Sequence, residues 1–206
     1  MSTPAHAPAH AAAPSAIPST TPSTAPSTAV PASRLHLAQF NVAVLHHPLD
    51  DPRTADFVAL LEPVNALADR APGFVWRLVE EGAADATGIR PYGDDVIINY
   101  SVWESREALW DFVYRSGHLE SMRRRREWFR RHAEAHMALW WIPAGHVPTV
   151  AEGVERLEWL RAHGPSPRAF TFSADCTAAE ALEAGAVEDT AEGTAADAFE
   201  NAPVPA

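Results

Sequence analysis

The sequence contains no lysine: all 16 of its basic residues are arginine. A Schiff-base mechanism therefore has no residue to carry it. There is a single cysteine, Cys176, which excludes a disulfide framework, and its place at the edge of an acidic segment is not where a catalytic thiol is expected. No stretch is long and apolar enough to span a bilayer. The N-terminal segment lacks the basic and continuous apolar regions of a secretory signal, so a cytoplasmic protein without membrane contact is expected. Neither a phosphate-cradling glycine loop nor a dinucleotide fingerprint occurs. The ten histidines are scattered, and His46 and His47 are adjacent rather than spaced for one helical face, so no metal site is expected.

What is present is unevenly distributed. Residues 1–33 are Ala, Pro, Ser and Thr with two His, no formal charge and no aromatic residue. Such a segment buries too little apolar surface to offset its ordering entropy and reads as disordered. Residues 174–206 are rich in Ala, Glu, Asp and Thr and hold eight acidic and no basic residues, which reads as a second, acidic tail. Between them, residues 34–173 carry every arginine and all seven Trp, as one domain would. The net charge of −11 argues against nucleic acid as a partner, because that binding is driven largely by neutralising phosphates.

Within the domain, residues 35–44 alternate as a strand, with Leu35, Leu37, Gln39, Asn41 and Ala43 on one face. Asp51 before Pro52 suits a helix start, and Phe57, Leu60, Leu61, Val64 and Ala68 recur at helical spacing, with Pro63 expected to offset that helix. Residues 74–79 and 95–103 read as strands joined by a Gly- and Asp-rich connection. Ser105 caps a helix, and His118 begins another after Ser116-Gly117. A fourth strand over 136–142, a helix opened by Pro148-Thr149 and a short strand over 169–172 complete the order. The pattern is α+β: a ferredoxin-like split βαβ sheet with an appended helix and strand.

The stretch IINYSVWESREALWDFVYRSGHLESMRRR, residues 97–125, resembles the strand, Trp-x-Ser, helix and His sequence of the antibiotic-biosynthesis-monooxygenase-like proteins. With FNVAVLHHPLDDP, RRREWF, LWWIPAGHVPT and GPSPRAFTF, the whole of residues 35–172 is similar to a bacterial family of unknown function within that superfamily. The resemblance implies a dimeric α/β barrel, a homodimer in which two four-stranded sheets pair, with a ligand pocket between sheet and helices in each protomer. Relatives include cofactor-independent monooxygenases of polycyclic phenols, haem-degrading enzymes, isomerases and proteins with no proven activity, and fold alone does not choose among them.

Asn99 and Trp103 project from one strand face together with Ile97 and Ser101. In the quinone-forming monooxygenases a similarly spaced Asn and Trp line the pocket, where an amide and an indole N–H would hold a phenolate that itself reduces oxygen; alternatively, Asn99 satisfies nearby backbone and Trp103 is core. Asn41 is expected to approach the same pocket, since the two strands share a sheet. His118 is a candidate general base, or a cap at a helix start, and Phe112 precedes it on the neighbouring helix. His146, in the Pro-flanked turn PAGHVPT, either lines the pocket mouth or bonds its own loop. Trp76, with Trp128, Trp140 and Trp141, supplies aromatic wall, core or dimer contact. Of the arginine run, Arg124 or Arg125 is expected nearest the cleft, to meet a carboxylate or phenolate, with the others salt-bridged on a solvated face.

The expected function is a monooxygenase-like enzyme of bacterial secondary metabolism that needs no cofactor and takes a bulky aromatic or polyketide-like molecule, its catalytic residues being Asn99, Trp103 and His118. The alternatives are a non-catalytic ligand-binding protein, or one that binds haem through a histidine.

Overall fold

The computed structural model describes residues 35–187. The segments read as tails over 1–33 and from 188 onward lie outside the described residues. Strand β1 (Leu35–Val44) crosses the middle of a four-stranded sheet of order β2-β3-β1-β4, with β2 at Phe74–Arg77, β3 at Val96–Trp103 and β4 at Met137–Pro143. Every pairing is antiparallel. Helices α1 (Ala55–Ala68), α2 (Arg106–Arg115), α3 (His118–Trp128), α4 (Val150–His163) and α5 (Ala178–Glu183) surround it. The chain is α+β, and its strand order is the one a split βαβ arrangement gives.

Local chemistry sets the ends of the elements. Asp51 accepts from the Arg53 N–H and opens a short 3-10 turn, Pro52–Thr54, ahead of α1, and α1 then runs through Pro63. The Ser105 hydroxyl accepts from Ala108 N–H at the start of α2, and Thr149 caps α4 in the same way. Each such cap is worth about 1 kcal/mol. The strand expected over 169–172 is reduced to isolated bridges: Ala169 pairs with Ser166, and Phe170 and Leu139 exchange bonds of 2.9 and 2.8 Å.

One face of the sheet presents Ala38, Phe40, Val42, Ile98, Tyr100, Val102, Ala138, Trp140 and Ile142. These pack with Leu157 and Leu160 of α4 and with Leu78, Ile89 and Tyr92 of the long β2–β3 connection. Contact is close enough that a Cβ on Gly153 would lie 2.6 Å from Phe40 and 2.9 Å from Tyr100. This face is therefore filled by the chain itself. Helix α4 and the connection already cover it, and each large side chain so buried contributes roughly 2–3 kcal/mol.

The opposite face carries Leu35, Leu37, Trp103, Leu139 and Trp141, covered by Leu109, Phe112 and Val113 of α2 and by the C-terminal segment through Cys176, Ala181 and Leu182. That segment corrects the reading of residue 174 onward as an unstructured tail, because residues 174–187 are part of the packed structure. The Trp141 indole donates to the Cys176 carbonyl at 2.8 Å. A capping box between Thr177 and Glu180 closes the start of α5, and Ala181 is fully buried. The packing uses small residues against a large indole, so it leaves no aliphatic periodicity to read. It also answers the question of Trp140 and Trp141, since each is covered by its own chain, the former by α4 and the latter by this segment.

Candidate functional site

The register of β1 and β3 places Leu37 opposite Trp103, Gln39 opposite Ser101 and Asn41 opposite Asn99. Directly paired residues point to the same side of an antiparallel sheet, so all six share the face on which α2 packs. At one end of this face the rings stack. Trp103 lies against Phe112 with centroids 5.1 Å apart, and Phe112 lies against His118 at 4.9 Å. The backbone N–H of His118 donates to Ser116, whose hydroxyl is bonded to the Phe112 carbonyl, so the α2–α3 turn fixes the imidazole over the phenyl ring. Burial lowers the proton affinity of His118 below its ordinary value of 6.5, and the Val113 carbonyl partly offsets this.

A line of polar side chains leads from that aromatic end towards the other. The Trp103 indole donates to Ser101 Oγ at 2.9 Å, Ser101 donates to Gln39 Oε1 at 2.8 Å, and Gln39 Nε2 donates to Asn41 Oδ1 at 2.6 Å. Gln39 and Ser101 are buried, Asn41 is half-buried and Asn99 is exposed. The buried members thus satisfy one another, as enclosed polar groups must, and the line opens at the two asparagines. Trp103 and Asn99 stand four residues apart, about 13 Å along the strand, so the aromatic wall and the amides mark two ends of one face.

Of the residues expected at a site, Asn41, Asn99, Trp103, Phe112 and His118 therefore share this face. The part foreseen for Trp103 changes, because its N–H is spent on Ser101 and is not offered to a ligand. Trp76 is not among them. A bulge between Phe74 and Trp76 sets Phe74 opposite Trp103 but Trp76 opposite Val102, which turns the indole through to the other face, 5.6 Å from Tyr100. His146 is likewise elsewhere: its Nε2 meets Glu152 at 2.8 Å, and Glu152 also accepts from the Trp140 indole. The imidazole is thus tied to helix α4. Arg125 is exposed and donates to the Met122 carbonyl of its own helix. Arg124 is held by Asp56 and Glu127, which raises its already high proton affinity. Neither arginine joins the line of polar groups.

Three residues that belong here were not singled out. Gln39 and Ser101 form the middle of the line; their sequence signal is polarity at alternate positions of otherwise apolar strand faces. Arg77, opposite Ser101, brings a guanidinium to the same face, where Asp69 pairs with it at 2.7 Å and the Ala84 carbonyl accepts from it. The bulge that moves Trp76 away is what delivers Arg77. A separate hollow of about 200 Å³ lies along α2 and is lined by Arg106, Glu107, Trp110, Asp111 and Arg115. It is small, and its arginines are already paired with Asp175 and Asp111.

No group of three or more potential metal ligands occurs among the described residues. Haem would need an imidazole nitrogen open to iron. At His118, Nδ1 is enclosed without a hydrogen-bond partner and the ring is stacked on Phe112, so that nitrogen does not fit the role. No described helix is long and apolar enough to cross a membrane.

The family described as a domain of unknown function, DUF3291, matches residues 36–186. No curated protein matches the chain. Among solved structures, it is similar to SnoaB, a cofactor-independent oxygenase from Streptomyces nogalater. The identity is 19% and the TM-score 0.36, over 56% of this chain and 96% of that one. It is also similar to a conserved protein from Methanosarcina mazei Go1, at 11% identity and TM-score 0.38 over 55% and 96%. A third likeness is to NE2512, a protein of unknown function from Nitrosomonas europaea, at 13% identity and TM-score 0.36 over 57% and 98%.

Proposed function

The chain belongs to the DUF3291 family, whose description assigns no chemistry, and from that premise we propose a function based on the site itself. The protein is a monooxygenase-like enzyme that binds a polycyclic phenol across this sheet face and oxidises it with oxygen, the electrons coming from the substrate. The observation that carries this reading is the side-by-side placement of Asn41 and Asn99 at the open end of a line of polar groups whose other end is a stacked aromatic wall. Phe112, half-buried, offers ring surface to an aromatic ligand, and the buried Trp103 backs it. The amides offer hydrogen bonds to its oxygen, and only a ligand of several fused rings touches both ends.

The chemistry asked of the protein is modest. A phenol loses its proton, the phenolate carbon adds oxygen, and the ring peroxide expels water to leave a quinone. One oxygen molecule is consumed and one water formed per substrate. The amides favour the anion over the phenol, whose proton leaves to solvent at the open end of the face, while His118 packs on Phe112 at the other end. In this reading two copies associate. The partner meets the outside of the molecule, where Val58 and Leu67 of α1 are 40% and 39% exposed.

The test is oxygen uptake by the purified protein with 1,8-dihydroxyanthrone as substrate. Uptake that falls at least tenfold in Asn99→Ala supports the reading. Uptake equal in wild type and Asn99→Ala removes it.

A further inference from the structure

The line of hydrogen bonds has a direction. An indole N–H can only donate, so Ser101 Oγ must accept from Trp103. The Ser101 proton then needs an acceptor within a buried site, and among the described residues that acceptor is Gln39 Oε1. Had Gln39 the opposite amide orientation, its NH2 would face the serine oxygen and the serine proton would be left without a partner. With Oε1 turned to Ser101, the Gln39 NH2 faces Asn41, and it donates to Asn41 Oδ1 at 2.6 Å. The orientation of each amide, which is ordinarily a matter of choice, is thereby set by the one before it.

We infer that this relay fixes Asn41 with its carbonyl oxygen turned inward and its NH2 presented to the open end of the sheet face. Asn41 Nδ2 has no partner among the described residues. The site is accordingly built for a ligand that brings an acceptor: an ionised phenol or enol oxygen rather than a hydroxyl or amine that must donate. Gln39 and Ser101 are positioning residues that act through Asn41 without touching the ligand. The inference rests on the reading of this face as a ligand site, and it adds the polarity that the ligand must have.

The test uses three ligands with the same rings: 4-nitro-1-naphtholate, its methyl ether and 4-nitro-1-naphthylamine. Binding is measured without oxygen by titration calorimetry. Wild type binds the naphtholate about tenfold or more tightly than either analogue. Ser101→Ala releases Gln39 and weakens the naphtholate about fivefold while leaving the ether unchanged. Gln39→Glu replaces the donor that faces Asn41 with an acceptor. Asn41 then turns its NH2 inward and its oxygen outward, and the order of naphtholate and amine reverses. Should that variant fail to fold, Asn41→Asp, which removes the donor at nearly constant shape, must abolish the naphtholate preference.

Equal affinities for naphtholate and amine in wild type, or a preference untouched by Ser101→Ala together with Gln39→Glu or Asn41→Asp, overturn the inference. Oxygen uptake with dihydroxyanthrone is scored separately. A preserved naphtholate preference without uptake supports the polarity and removes the enzyme reading. Uptake without a preference removes the polarity alone.

Discussion

The Trp103 indole N–H donates to the Ser101 hydroxyl at 2.9 Å, two residues back on the same strand. This makes an otherwise apolar tryptophan the anchor of a polar line. Trp103→Phe keeps the ring stacking on Phe112 but leaves a buried serine oxygen one donor short. A loss of about 1–3 kcal/mol is expected, read as a lower denaturant midpoint with unchanged m-value. Trp103→Phe combined with Ser101→Ala should not recover that loss, since the buried Gln39 Oε1 then lacks its donor.

Gly153 sits where α4 comes nearest the sheet. Gly153→Ala drives a methyl into Phe40 and Tyr100 at distances no ordinary contact tolerates. The helix gains intrinsically from alanine by up to about 1 kcal/mol, yet the overpacking costs about 1–3 kcal/mol. A lower thermal midpoint is expected, and a higher one would show that α4 is not held where it is described.

The C-terminal segment gives a third test. Ala181 is fully buried against the face that holds Trp141, so Ala181→Glu places a carboxylate where no partner exists. Residues 174–187 should detach, with Trp141 losing its bond to Cys176. The expected readouts are a red shift in tryptophan emission and faster reaction of Cys176 with a thiol reagent. In the native protein that reaction should be slow, because Cys176 is buried and burial raises the thiol's proton affinity.

The pH dependence of stability follows from His118, whose proton affinity is lowered in the folded state. Below its ordinary value of 6.5 the unfolded imidazole takes up a proton that the folded one still refuses, so acid favours unfolding. Stability should fall as pH drops through about 6.5, by at most about 1.4 kcal/mol per pH unit for this one group, and level off below the folded value. His132 and His136, stacked at 4.9 Å and also lowered, add to the same trend. His118→Asn should reduce the slope measured by denaturation between pH 6.5 and 5, leaving the part due to the His132–His136 pair.

Much of the frame was legible because strand alternation and capping residues are local signals. The faces of β1 and β3, the caps Asp51, Ser105 and Thr149, and the sharing of one face by Asn41, Asn99 and Trp103 all follow from neighbours in sequence. What was not legible is set by tertiary geometry. Phe74, Val75 and Trp76 alternate like any strand, and only the bulge against β3 sends Trp76 to the far face and Arg77 to the near one. The covering of the second face by α4 depends on where a helix lands, not on its own weak periodicity. The packing of residues 174–187 had one readable sign, the Thr177-x-x-Glu180 capping box, which an acidic, alanine-rich composition concealed.

The most direct test of the functional account is oxygen consumption by the purified protein with 1,8-dihydroxyanthrone, followed by mass spectrometry of the product. The account predicts one oxygen molecule consumed per quinone formed, with the rate reduced at least tenfold by Asn99→Ala and by Asn41→Asp. Oxygen uptake no faster than in buffer, or a rate unchanged by both substitutions, would contradict it.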